Sequence, residues 1–463
     1  MNALHHLTIA EAAERIQRRE LTSAALTRAL LDRIDALNPR LNAYVLVLAN
    51  SAMAEAETAD AEIAAGRHRG PLHGIPIGVK DIYATAGART TGHSHVLIDN
   101  VPAEDSVAVA RLRTAGAVVL GKLATHEFAF GGPDWTLPFP PARNPWNPDH
   151  FTGGSSSGSG SAVAAGLCLG ALGSDTAGSI RMPATFCGIA GIKPTYGRVS
   201  RRGVLPLAFS LDHCGPMAWT VRDNALMLQA MAGHDPEDPA SAAAPVGDYA
   251  GGLDGRIDGL RVGVIRHFFE RDDRADGDVL AAMDAGLEVL RGLGAAVRDV
   301  EVSPAQDYSA VCNVIMLSEA LAIHEADLDR YPQRFGWILR DRMTLARFLT
   351  AADYVQAMRL RRTLAAEMEA ALASHDVLIV PGAWSAAVRI DQVPPYYLFR
   401  RPLLTAPFDV TGHPAISVCN GFSAAGLPFG MQIAGRRFDE ATVLKVADAY
   451  ERATPWRGKR PTM

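Results

Sequence analysis

The chain has 463 residues, 48% hydrophobic and 21% charged, which excludes global disorder and allows a large buried core. Its formal charge of −5 argues against nucleic acid or an anionic membrane as a partner. Five scattered cysteines (Cys168, Cys187, Cys214, Cys312, Cys419) with no Cys-x-x-Cys pair exclude a disulfide scaffold and a zinc site, and read as small buried hydrophobes.

The first ten residues lack a basic region followed by an apolar run, and no apolar stretch reaches the ~18 residues of a membrane span. A cytoplasmic chain is expected. Leu7 to Leu37 predicts two helices, the first capped by Thr8 with Glu11 as capping-box partner, the second capped by Thr22 or Ser23. Leu26, Leu30, Ile34 and Leu37 recur at helical spacing, and Asn38-Pro39 should end that helix. Ala52 to Ala65 is a further helix. Ile75 to Val79 is a short apolar run, Asp105 to Ala115 a helix and Ala117 to Leu120 a buried strand. Gly131 to His150 reads as an irregular loop dense in proline and aromatics. Helix follows at Ala162 to Gly166 and Val221 to Ala232, with a polar connector at Asp235 to Gly255. Leu260 to Ile265 is a strand, Val279 to Leu293 an amphipathic helix, and Ala305 to Ser374 helical and charged. Asp376 to Val380, Ala415 to Val418 and Gly430 to Ile433 read as strands, and Glu440 to Arg452 as a closing helix. Helices alternating with short apolar strands give the α/β class. One domain over 1–463 is expected, with a core segment at 70–220 and a helical elaboration at 235–374.

Phe151 to Pro183 (FTGGSSSGSGSAVAAGLCLGALGSDTAGSIRMP) carries the chemistry. A Gly/Ser run can be a flexible linker, but this one leads straight into an apolar small-residue helix, so its glycines read better as permitting close approach. Ser174 to Ser179 is a second small-residue stretch. It reads either as a surface turn or as a loop whose backbone N–H groups converge to hold a developing oxyanion.

These residues resemble the amidase signature family. The likeness covers the Gly-Gly-Ser-Ser start at Gly153, Gly173-Ser174-Asp175-Thr176, Gly178-Ser179-Ile180-Arg181, Pro183-Ala184 and Cys187-Gly188. Upstream, Gly74 to Asp81 is similar to the family's lysine motif. Asn144-Pro145-Trp146, Gly191 to Thr195, Gly426-Leu427-Pro428 and Gly430-Met431-Gln432 fit as well, so the resemblance runs from about Leu7 to Ala453. It implies one α/β domain, with a central mixed twisted sheet covered by helices on both faces, and with 235–374 around the substrate entrance. It implies hydrolysis of a carboxylic amide by Ser179 as nucleophile, with Lys80 as base and Ser155 as proton relay. A serine hydroxyl needs such a base, and a buried lysine can be neutral enough to serve. In the family the bridging serine follows a cis peptide, here Gly154-Ser155. The amides of Thr176, Ala177, Gly178 and Ser179 would hold the oxyanion, Asp175 and Arg181 would brace the loop, and Phe130, Gly131 and Gly132 would line the acyl pocket. The resemblance implies no metal and no organic cofactor, a small-molecule amide substrate without nucleic acid or membrane, and a homodimer.

Departures from the family pattern are Ala177 for a second glycine, a varied order at Ser157, Gly160 and Ser161, and Asp409 and Cys419 where Asn and Pro are commoner. Ureido compounds and carbamates are further substrate classes for the same machinery. Other readings compete. Gly116 to Lys122 matches the start of a phosphate-binding loop, but Leu123 stands where a Ser/Thr would ligate magnesium. Gly154 to Gly158 fits a nucleophile elbow centred on Ser156, with His213 or His413 as base, but lacks the strand that must precede it. A glutaminase-type subunit of a tRNA-dependent amidotransferase, working with partner subunits, is the alternative within the family.

Overall fold

The computed structural model describes residues 3–463. Its strands are β1 (Tyr44–Val47), β2 (Pro76–Lys80), β3 (Val118–Leu123), β4 (Gly170–Asp175), β5 (Ala190–Lys193), β6 (His213–Ala218), β7 (Arg261–Val264), β8 (Ala296–Asp299), β9 (Val377–Pro381), β10 (Ala415–Phe422) and β11 (Pro428–Gly435). They form one sheet in the order β1-β3-β2-β4-β6-β5-β10-β11-β9-β7-β8. Two parallel trios, β3-β2-β4 and β9-β7-β8, are joined through antiparallel pairs, so the sheet is mixed. Strands β2, β3, β4, β5, β6, β9 and β11 are buried along their whole length. Helices flank the sheet, and a strand covered on both faces loses the apolar–polar alternation that marks a half-exposed one. That explains why several strands read only as short apolar runs.

Local chemistry sets most of the predicted helices. Thr8 and Glu11 form the expected capping box on Ile9–Gln17, and Thr22 caps Ser23–Leu41 through Ala25 N. That second helix runs past Asn38-Pro39 to Leu41 and ends on Asn42 in the left-handed conformation. Pro39 falls in the last turn, where the missing N–H and the ring cost one bond rather than several.

The Gly/Ser run is not a linker. Ser157–Ala164 is a helix with every residue buried, packed on β4 and β2. Small side chains let it approach the sheet that closely. Strand β6 escapes a sequence reading because Pro216 breaks its apolar pattern. Pro216 is opposite Leu172 of β4, while the pairing with β5 involves only Met217 and Ala218, so its missing N–H costs the sheet little. The 235–374 segment contributes β7 and β8 to the sheet as well as the helices Ala305–Arg330, Trp337–Ala346 and Ala351–Ser374. All five cysteines are buried and free. Among the described residues no helix is long and apolar enough to cross a membrane.

Candidate active site

Parallel pairing of β2 with β4, Val79 against Leu172, brings their C-terminal ends together and sets Lys80 beside Ser174. Lys80 is fully buried. Its Nζ is 2.8 Å from Ser155 Oγ, 3.0 Å from Ser156 Oγ and 2.8 Å from Ser174 Oγ. Burial pushes its pKa down to about 7, against the opposing pull of Asp175 and Asp212. A neutral amine has two N–H donors and one lone pair, so one of the three hydroxyls must donate to it. Ser156 Oγ directs its own proton to Ser174 O, 3.2 Å away, which leaves Ser155 or Ser174 for that task.

Ser155 stands just ahead of the buried helix Ser157–Ala164, after a cis Gly154–Ser155 peptide. Its carbonyl accepts from His126 N and Ser157 N. Only glycine fits at 154, because a Cβ there would be 1.9 Å from His126 Cε1.

Ser179 follows β4 and precedes the helix Arg181–Cys187. From Gly170 to Arg181 every residue is buried except Ser179, which is half-buried. Ser156 N donates to Ser179 O at 3.2 Å and ties the two serine loops together. Asp175 organises the turn. Its carboxylate accepts from the amides of Gly178 (2.6 Å), Ile180 and Arg181, and from two nitrogens of the Arg181 guanidinium at 3.0 Å. Burial alone would raise the Asp175 pKa, but the guanidinium outweighs it and holds the carboxyl well below the usual range. Of the four amides expected to face an oxyanion, that of Gly178 is therefore already committed to Asp175. The amides of Ala177 and Ser179 have no acceptor among the described residues. Thr176 Oγ1 donates to Asp212 at 2.6 Å.

Several supports come from far along the chain. Thr405 Oγ1 donates to Ala177 O at 2.6 Å. Gly178 has φ +123°, and a Cβ there would be 2.2 Å from that same Thr405 oxygen. Arg181 also donates to Thr405 O, Gln432 Oε1 and Asp409 Oδ2. Gln432 belongs to a motif visible in the sequence, Asp409 shows there only as a departure, and Thr405 carries no signal.

Phe130 is buried with Arg342 5.3 Å over its ring, and Arg342 also donates to the carbonyls of Phe130 and Gly131. Gly132 faces a narrow crevice with His126 and Thr152. A cavity of about 680 Å³ opens beside Ser174, Ala129 and Asp212. A second, of about 460 Å³, is walled by Phe151, Met182, Trp384 and Tyr397 and reaches Thr405. The competing motifs lead elsewhere. Lys122 is buried in β3 and bonds Tyr83 O, Thr85 and Thr90, as a strand residue rather than a phosphate ligand. The Ser156 hydroxyl meets Lys80 and Ser174, while His213 contacts Asp175 O and His413 contacts Thr411.

The sequence model of the amidase family matches residues 25–444. A glutamyl-tRNA(Gln) amidotransferase subunit from Geobacter metallireducens is 41% identical, with 99% of each chain covered. A chain from an inhibitor-bound vestigial protein complex, tied to the evolutionary origins of an s-triazine catabolic enzyme, superposes with a TM-score of 0.91 at 33% identity, covering 99% of this chain and 100% of that one. Native peptide amidase from Stenotrophomonas maltophilia gives 0.86 at 34% identity, with 98% of each chain covered. The first of these corrects an expectation. The relative is one subunit of an enzyme whose name includes a tRNA, which overturns the reading of a chain with only a small-molecule partner and no nucleic acid. Net charge bears on direct contact with phosphates and does not report membership of an assembly. By the extent of the family match and these identities, the chain belongs to the amidase family, the amidase signature enzymes.

Proposed function

We propose that the chain cleaves carboxamides through an acyl-enzyme on Ser179, with Lys80 as base and Ser155 as relay. The observation that carries this reading is a buried lysine, shifted to about 7, within 2.8 Å of Ser155 Oγ. Ser179 Oγ attacks the amide carbon while its proton passes to Ser155 and the Ser155 proton to Lys80 Nζ. The amides of Ala177 and Ser179, with that of Thr176, receive the oxyanion. Collapse breaks the C–N bond as the relay returns the proton to the leaving nitrogen. Water then attacks the ester, gives its proton to the relay, and releases the carboxylate.

The finer reading is a glutaminase-type subunit of a tRNA-dependent amidotransferase, supported by the 41% identity to such a subunit over 99% of both chains. In this reading 70–220 holds the chemistry and 235–374 borders the entrance. Glu319 accepts from Ser210, which lines the larger cavity, and from Tyr354, so the helices Ala305–Arg330 and Ala351–Ser374 are tied to that wall. A second reading, hydrolysis of a bulkier amide or ureido compound, is favoured by the aromatic walls of the 460 Å³ cavity.

Ammonia release from glutamine, aryl carboxamides and ureido compounds tests the choice, with the chain alone and co-expressed with candidate partner subunits. Glutamine turnover that rises with partners supports the first reading. Turnover of aryl or ureido substrates and none of glutamine supports the second, and no turnover of any amide rejects both.

A further inference from the structure

Behind the Ser179 loop, four ionisable side chains are packed out of contact with water. Arg181, Asp175, Asp409 and Lys193 are all fully buried. The terminal nitrogen of Arg181 that bonds Asp175 Oδ1 also bonds Asp409 Oδ2, so both carboxyl groups crowd one guanidinium nitrogen. All five donors of Arg181 are used, two nitrogens on Asp175 and the remainder on Asp409, Thr405 O and Gln432. Asp409 Oδ1 is buried and has no hydrogen-bond partner among the described residues. Two ionised carboxylates beside one guanidinium leave an excess negative charge that burial penalises heavily.

The other groups facing Asp409 remove that excess only in part. His213 Nδ1, on β6, is 3.6 Å from Asp409 Oδ1 but already meets Asp175 O, and burial holds its ring neutral. Lys193, on β5, directs its amine to the carbonyls of Pro194 and His413, and burial pushes it down to about 7. Cys312, from the helix Ala305–Arg330, is a thiol driven upward by burial. Gln432, on β11, is neutral. Burial and the neighbouring Asp175 raise Asp409 well above the carboxylate range even though Arg181 opposes them.

We propose that Asp409 is a positioning residue that holds a proton in the active enzyme. As a neutral acid it completes a clamp with Arg181 and Asp175 that sets the amides of the Ser179 loop, and loss of its proton at alkaline pH loosens them. The Asp175 carboxylate is the group that orders Gly178, Ile180 and Arg181, so crowding it with a second charge acts directly on the turn. The loop consequence rests on Ser179 being the nucleophile. The protonation itself does not.

Two readouts separate these. The infrared spectrum of the wild type at neutral pH, minus that of Asp409→Asn, should contain the carbonyl stretch of one protonated carboxylic acid. Its absence overturns the proposal whatever Ser179 does. The second readout is the rate of Ser179 labelling by a fluorophosphonate, measured against pH. The wild type should slow on the alkaline side, and the infrared band should disappear over the same range. Asp409→Asn, neutral at every pH, should keep labelling within about tenfold near neutrality, the worth of one hydrogen bond, and lose the alkaline decline. Asp409→Ala should label more slowly throughout. An Asp409→Asn enzyme that keeps the wild-type alkaline decline overturns the proposal. So does a folded Asp409→Asn enzyme that fails to label at neutral pH. A wild type that shows the band but labels elsewhere than Ser179 supports the protonation and rejects the nucleophile assignment, and with it the proposed effect on catalysis.

Discussion

Lys80 Nζ is 2.8 Å from Ser155 Oγ, at the end of a strand buried along its whole length. The strand denies the amine water, and the serine hydroxyl is within hydrogen-bond distance of it. A lysine at its ordinary pKa would be an ammonium at neutral pH with no lone pair to offer. In the proposed mechanism burial makes Lys80 a base and Ser155 passes it the proton.

That origin of the base fixes the sign of the pH dependence. Below about 7 the Lys80 amine is protonated and cannot accept the Ser155 proton, and above it the lone pair is free. Amide-hydrolysis kcat/KM should rise with pH through about 7, ahead of the alkaline decline ascribed to Asp409. Lys80→Met should lower it ~10²–10⁴-fold and remove the rising limb. A pH–rate profile of both proteins checks this.

The two serines should separate in their effects. Ser179→Ala should form no acyl-enzyme at all, whereas Ser155→Ala should retain slow acylation, because the oxyanion donors and Lys80 remain. Ser179→Ala should melt near the wild-type temperature, whereas Ser155→Ala, which removes a buried bond to Lys80, should lose about 1 kcal/mol of stability. Rapid-quench acylation with calorimetry reads both quantities.

Asp175 accepts five hydrogen bonds from the loop and from Arg181, so Asp175→Asn should be severe. A buried guanidinium left without its main carboxylate costs about 3–5 kcal/mol, read from the urea midpoint. The pH dependence follows from the depressed Asp175 pKa. The stabilisation is full above the unfolded carboxylate value of ~3.9 and is lost as pH falls through the lower folded value. Asp175→Asn should accordingly show a flatter fall of stability in acid than the wild type.

Gly178 and Thr405 should be coupled. Gly178→Ala places a Cβ in the left-handed region and 2.2 Å from Thr405 Oγ1. Strain and overpacking of about 1–3 kcal/mol each are expected, together with loss of activity. Thr405→Ala should cost about 1 kcal/mol through the lost bond to Ala177 O. The double variant should be more stable than the sum of the singles, because the contacts with Thr405 Oγ1 and Cγ2 are gone, while the 2.6 Å approach to the Cβ of residue 405 and the φ penalty stay. Urea unfolding of the four proteins measures the coupling.

What the sequence reveals and what it hides have physical causes. The contact of Lys80 with Ser155 is legible because each belongs to a compact sequence motif, and the caps Thr8 and Thr22 because capping is local. The Ser157–Ala164 helix is obscured by its own composition, since glycine and serine are poor helix formers in isolation and tertiary packing decides there. Strand β6 is hidden by Pro216, which only the partial pairing with β5 makes tolerable. The loop supports Thr405 and Asp409 stand 228 residues from Ala177 and Arg181 respectively, beyond the reach of any local pattern. The commitment of the Gly178 amide to Asp175 is invisible too, because it depends on how the turn closes on a side chain three residues back.

The proposed mechanism makes Ser179 a nucleophile whose reactivity depends on Lys80. Intact-mass spectrometry after fluorophosphonate treatment, followed by peptide mapping, tests it most directly. A single adduct on Ser179, formed by the wild type and lost in Lys80→Met, is the predicted result. An adduct on Ser156 or elsewhere, or labelling of Ser179 at an unchanged rate in Lys80→Met, would contradict it.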